Sequence, residues 1–182
     1  ACPACAFRGN VVEGGVNKGI TLHGTHDATV EANVVYDLRG ASIYVEDGNE
    51  LHNTLSHNLL LCPSLSHKAQ LGGLKPQGDE QTATGATGTG HRCTLLGVPE
   101  HRDSDWEEQS AIYSLSATNH ILANRIVGHM NAFYVNHQGQ RYFGIGAAYG
   151  KVCILSSPFG RIEGNVFHNN AGFGFYVNSA FP

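Results

Sequence analysis

The sequence predicts an all-β solenoid of stacked parallel strands. Three observations carry that prediction: a frame repeated around asparagine, a spacing of 23 and then 25 residues between its first copies, and an abundance of residues suited to tight turns. The frame is clearest in residues 28–36, A-T-V-E-A-N-V-V-Y. Centred on Asn33, it has an apolar residue three before (Val30), a small or polar one immediately before (Ala32) and an apolar residue two after (Val35). The same frame fits Asn10 (Phe7, Gly9, Val12), Asn58 (Leu55, His57, Leu60), Asn124 (Ile121, Ala123, Ile126) and Asn165 (Ile162, Gly164, Phe167). The chain is 41% hydrophobic, so finding every flanking position apolar by chance has odds of roughly one in ten thousand, and the frame is an internal repeat.

A period of 23 to 25 residues is too short for a propeller blade and suits one coil of a solenoid. Each coil carries a second strand, Ile20-Thr-Leu22 after Asn10 and Ile43-Tyr-Val45 after Asn33, with the period-two alternation of a strand that buries one face. Ala111 to Leu115, Asn131 to Val135 and Gly172 to Val177 repeat that strand in later coils. The 66 residues from Asn58 to Asn124 and the 41 from Asn124 to Asn165 exceed one coil. We therefore expect about five coils in a single domain spanning residues 1–182, with insertions at about 62–105 and 137–158. Only around Trp106 to Gln109 does the pattern suggest a turn of helix. Stacked at roughly 4.8 Å per coil, five coils extend about 24 Å. Asn10, Asn33, Asn58, Asn124 and Asn165 then fall at equivalent turns, where their amides are expected to form a structural ladder.

Composition narrows the class further. The 23 glycines, together with frequent asparagine, suit left-handed turn positions. Charged residues make up 14% and the net charge is −4, with no basic stripe, which argues against nucleic acid as a partner. No apolar run approaches the roughly 18 residues of a membrane-spanning helix. Residues 1–10 lack the pattern of a signal peptide. With no initiating methionine and Met130 alone in the chain, we expect a piece of a longer polypeptide. Open end coils expose unpaired strand edges. The expected partners are therefore the rest of the parent polypeptide or further copies stacked at the coil ends.

His23-Gly-Thr-His26, followed by Asn33-Val-Val-Tyr36-Asp37, Gly40, Glu46-Asp47-Gly48 and Asn58, resembles the parallel β-helix region of fibrocystin-like cell-surface proteins. The likeness resumes at Ser110 to Asn119, runs through Gly160-Arg-Ile-Glu-Gly-Asn165-Val-Phe-His168 and ends at Phe173-Gly-Phe175, about two thirds of the chain. It implies a right-handed parallel β-helix in the ectodomain of a large extracellular, cell-surface or ciliary/flagellar protein. The group is also related to transmembrane and secreted hyaluronan-degrading proteins. Asp27 stands where relatives often carry asparagine, Ile112-Tyr113 replaces a usual aromatic pair, and 62–105 is peculiar to this chain. The carboxylates proposed as catalytic in the hyaluronan-degrading members map onto no position here, so no catalytic residue is assigned.

The most concentrated polar set is His23, His26, Glu46, Asp47 and His52. One coil of about 23 residues brings His23 beside Glu46 of the next. Imidazole with carboxylate can bind a transition metal or transfer protons. H-x-x-H outside a helix lacks the spacing of a zinc protease, and hydrogen bonding of turn backbone is the competing role. No cofactor is expected beyond that candidate metal ion. Glycoside hydrolysis needs two carboxylates across a cleft. Glu46 and Asp47 are neighbours that a strand would point to opposite faces. Asp79, Asp103, Asp105 and Glu107 are the other acids available. Tyr44, Trp106, Tyr134, Tyr142 and Tyr149 could stack on sugar rings if exposed.

Five cysteines leave at least one without an internal partner. Cys62 and Cys93 flank an irregular segment and form the first disulfide candidate, one that would restrain that loop. Cys2-Pro-Ala-Cys5 has spacing shared by metal, redox and disulfide pairs, and Cys153 could join either. Thr82, Thr84, Thr87 and Thr89 lie in a low-complexity tract open to O-glycosylation in a secreted protein. The resulting expectation is a non-enzymatic structural or assembly module, outside the cell and part of a filament. The alternative is a carbohydrate-active enzyme or glycan-binding module, with glycans as partners.

Overall fold

The computed structural model describes residues 5–15, 18–38, 40–46, 48, 50–62, 110–114, 116, 118–129, 131–136, 160–170 and 174–178. The regular elements among them are all strands, three in each of five coils. Coil 1 holds β1 (Ala6–Arg8), β2 (Val11–Glu13) and β3 (Ile20–Leu22). Coil 2 holds β4 (Thr29–Glu31), β5 (Val34–Tyr36) and β6 (Ile43–Val45). Coil 3 holds β7 (Thr54–Ser56), β8 (Leu59–Leu61) and β9 (Ser110–Ser114). Coil 4 holds β10 (His120–Leu122), β11 (Arg125–Val127) and β12 (Asn131–Asn136). Coil 5 holds β13 (Ile162–Glu163), β14 (Val166–His168) and β15 (Phe175–Asn178).

Each coil has one strand more than the two expected, because the asparagine frame is bent at its centre. The residue before each frame asparagine has a left-handed backbone: Gly9 (φ 66), Ala32 (φ 54), His57 (φ 56), Ala123 (φ 53) and Gly164 (φ 67). A single left-handed residue ends one strand and redirects the chain into the next. For alanine and histidine that conformation costs roughly 1–2 kcal/mol, so the corner must be held by something else.

The strands form three five-stranded sheets, ordered β1-β4-β7-β10-β13, β2-β5-β8-β11-β14 and β3-β6-β9-β12-β15. All neighbours are parallel, and β6 pairs directly with β9 although Val45 and Ser110 are 65 positions apart in the sequence. Apolar residues thereby stack in register. Phe7, Val30, Leu55, Ile121 and Ile162 form one column. Val12, Val35, Leu60, Ile126 and Phe167 form a second. Ile20, Ile43, Ile112, Phe133 and Phe175 form a third. The middle members are buried and join one core, whose removal from water drives the closure of the coils.

In the first and last coils apolar side chains open to solvent, Phe7 and Val11 in coil 1 and Val166 and Phe175 in coil 5. Phe175 stacks on Phe133 with ring centres 5.1 Å apart. The outward column of the third sheet runs Thr21, Tyr44, Tyr113, Tyr134, Tyr176. Tyr44 is not available to a sugar ring: it is 3% exposed, stacks on Tyr113 at 5.1 Å and carries the Lys18 ammonium 3.9 Å above its ring. Trp106, Tyr142 and Tyr149 lie outside the described residues, as does the side chain of Tyr134. Among the described residues, no helix is long and apolar enough to cross a membrane.

Candidate functional site

Among the described residues, the most extensive side-chain construction is at the corner between the first two sheets. Asn10, Asn33, Asn58, Asn124 and Asn165 form an unbroken file. Each of the first four donates from both its backbone N–H and its Nδ2 to the Oδ1 of the next, at 2.9–3.1 Å. The remaining Nδ2 hydrogen reaches back one coil, from Asn33 to the Phe7 carbonyl, Asn58 to Val30, Asn124 to Leu55 and Asn165 to Ile121. Asn33, Asn58 and Asn124 are 1% exposed or less. At Asn58 both amide hydrogens and both lone pairs of Oδ1 are used, so a buried polar side chain is fully satisfied. Such a file holds the left-handed corners that alanine and histidine would otherwise resist.

A second, shorter file lies five residues earlier in each coil, where the chain positions are Cys5, Ala28, Asn53, Asn119 and Gly160. Ala28 N–H donates to Asn53 Oδ1 at 2.9 Å. Asn53 donates from N and Nδ2 to Asn119 Oδ1, both at 3.0 Å, and from Nδ2 to the Thr25 carbonyl at 2.8 Å. The sequence reading passed over this pair, although Asn53 and Asn119 each stand five positions before a frame asparagine. Asn119 Nδ2 is buried and without a hydrogen-bond partner, because Gly160 has no side-chain oxygen to continue the file.

Of the His23, His26, Glu46, Asp47 and His52 set, the described members engage separate partners. His23 Nδ1 meets Glu46 Oε2 at 3.4 Å. His26 Nδ1 accepts the Leu51 N–H at 3.1 Å, and His52 Nδ1 lies 3.8 Å from Asp27 Oδ1. Asp47 lies outside the described residues. A comparable pairing joins Glu31 to Arg8 at 3.0 Å and to His57 at 3.8 Å. All of these contacts tie one coil to its neighbour on a solvated flank. Among the described residues, no three His, Cys, Asp or Glu side chains are grouped so as to hold a metal ion.

Two buried ionisable groups carried no signal in the sequence pattern. Glu50 is fully buried; its Oε1 accepts the Gly24 N–H at 3.2 Å and its Oε2 the Gly48 N–H at 2.9 Å. The carboxylate therefore clamps the turns of coils 1 and 2. His129 is 2% exposed and lies 3.1 Å from the Val127 carbonyl through Nδ1 and 3.2 Å from Ser42 Oγ through Nε2. A carbonyl only accepts, so Nδ1 carries the proton and Nε2 accepts from the serine hydroxyl. Desolvation lowers the His129 pKa to about 4, against the opposing Val127 hydrogen bond. The imidazole is thus neutral at physiological pH. Serine and histidine within reach of each other can form a nucleophile and base, but Ser42 is only 1% exposed, and the pair ties coil 2 to coil 4. Cys62 is 5% exposed at the end of β8. Cys93, Thr82, Thr84, Thr87 and Thr89 lie outside the described residues.

Three parallel sheets wound round one aliphatic core, with an asparagine file along a corner, define a parallel β-helix. The chain belongs to the CEMIP beta-helix family, which matches over residues 3–175. It is similar to human fibrocystin-L, 40% identical over 52 residues, covering 29% of this chain and 1% of that protein. Two proteins of Dictyostelium discoideum show shorter likenesses. Protein rliB is 51% identical over 39 residues, covering 21% of this chain and 4% of that protein. Communication mutant protein F is 49% identical over 39 residues, with the same coverage. The chain thus spans only a few per cent of the length of these curated relatives. No solved structure matches it.

Proposed function

We propose that this chain is a structural β-helix module of a larger extracellular or cell-surface protein, serving to hold its surroundings in a fixed arrangement. The observation that carries this reading is the asparagine file: the amides of five coils are bonded to one another and to strand carbonyls along the stack. Side chains so engaged rigidify a scaffold and leave nothing for a ligand. The ionisable groups of the flank support the same reading, since His23, Glu31, Glu46 and His52 each face a charge partner in an adjacent coil. Cys5 and Cys62 are both disulfide-bonded, which suits an oxidising compartment. So does the likeness to fibrocystin-L.

The test is an assay for chain shortening of hyaluronan and related polysaccharides by the purified protein, read by light scattering. Unchanged polymer length is expected. Depolymerisation that disappears on heat denaturation would overturn the structural reading in favour of a glycan-degrading enzyme.

A further inference from the structure

We propose that the outer face of the second sheet is a docking surface for another polypeptide, one that presents apolar side chains around a carboxylate. The inference adds a partner to the structural reading above and rests on the middle coils, 2 to 4. There the central residue of each strand, Val35, Leu60 or Ile126, lies in the core, so its two strand neighbours point outward. These outward pairs are Val34 and Tyr36, Leu59 and Leu61, and Arg125 and Val127. Parallel register stacks them in two columns, Val34-Leu59-Arg125 and Tyr36-Leu61-Val127. Five of the six are apolar, and all six reach solvent, Tyr36 and Arg125 most openly. The equivalent positions of the first sheet are Thr29, Glu31, Thr54, Ser56, His120 and Leu122, of which only the last is apolar. A sheet face that meets water alone has that second composition. A contiguous apolar strip on one flank of the coil marks a contact surface.

The charge within the strip specifies its occupant. Among the described residues, no hydrogen bond or ion pair engages the Arg125 guanidinium, whereas Arg8 and Arg161 each meet a glutamate. Covering the strip takes water from that guanidinium, and only a carboxylate on the covering surface compensates the loss. A second copy of this face does not supply one. Laid on it about a two-fold axis along β8, it sets Arg125 over Val34; about an axis along the stack, it sets Arg125 over Val127. A bilayer is a poor match, because the strip offers one cation and the chain carries a net charge of −4. Aliphatic residues with one tyrosine and one arginine, and no lysine, aspartate or glutamate, have the composition of the buried centre of a protein–protein contact.

Selection of a phage-displayed library of random linear peptides on the intact protein tests the strip. The wild type is expected to enrich sequences with apolar residues around an aspartate or glutamate. Binding of a selected synthetic peptide, read by fluorescence anisotropy, is expected to weaken about tenfold with Arg125→Glu and to recover when the peptide's acid is changed to lysine. Leu59→Thr together with Leu61→Thr, outward changes that keep β propensity, is expected to abolish binding, with circular dichroism verifying that each variant is folded. No enrichment would overturn the proposal, as would enriched peptides that lack an acid or bind these variants undiminished. Co-sedimentation with phosphatidylserine vesicles that the same variants abolish would overturn it in favour of lipid. Each of these failures leaves the structural reading standing, since only depolymerisation of polysaccharide sinks that.

Discussion

Two corners of each coil carry asparagine, and they differ in completeness. At the corner of Asn33, Asn58 and Asn124, each of these three amides has a donor below it and an acceptor above, and the file they belong to runs through all five coils. At the corner of Asn53 and Asn119, the file has two members, begins on the bare backbone of Ala28 and stops at Gly160. The consequence is a buried Nδ2 on Asn119 with no acceptor. Glycine is nonetheless demanded there: a Cβ at position 160 would lie 1.9 Å from the Asn119 carbonyl oxygen and 2.8 Å from that of Thr118. An asparagine ladder therefore stabilises by continuity, and where coils approach too closely for a side chain the file ends with an unmet donor. The cost of such a donor is roughly 1–3 kcal/mol.

The largest effect is expected from Asn58→Ala, which strands the Asn33 N–H, Asn33 Nδ2 and Val30 carbonyl together. Several buried groups left unpaired should reduce stability by about 4 kcal/mol, measured by urea denaturation. A loss below about 1 kcal/mol would mean that water repairs the corner and that the file contributes little. Gly160→Ala should follow at about 3 kcal/mol, because the contacted atoms are backbone and cannot swing aside.

The third effect depends on pH and lies away from both asparagine corners. His129 titrates at about 4 in the fold and at 6.5 unfolded. Below pH 6.5 the unfolded chain takes up the proton first, so this contribution is full above pH 6.5 and is lost as pH falls towards 4. Its size is on the order of 3 kcal/mol. Comparing urea midpoints of wild type and His129→Gln between pH 7 and pH 4.5 isolates it, and equal slopes would refute the assignment. Asn119→Ala is the mildest change, at about 1–2 kcal/mol: it strands two Asn53 donors but also removes an unmet one. If it equalled Asn58→Ala, the contrast between the two corners would collapse.

The solenoid, its five coils and the ladder positions were legible because the repeat writes the same physical requirement five times over. An apolar residue three before and two after asparagine has to face inward in every coil, so periodicity alone exposes it. The bend within each frame was less legible. Ala32 and Ala123 adopt left-handed conformations that alanine does not advertise, and only glycine at positions 9 and 164 hinted at them. The polar flank was half legible. His23 lies beside Glu46, as one coil length requires, yet nothing in the spacing revealed that His26 would accept a backbone N–H and His52 would turn to Asp27.

By itself, then, the sequence determined the coil, its period and the residues that face the core, since each is a local requirement repeated along the chain. The tertiary structure alone decided which polar groups lost water. Glu50 and His129 occur once each, in no repeating frame, and their burial depends on which coils lie above and below. Desolvation is set by neighbours distant in sequence, as with Ser42 and His129, 87 residues apart.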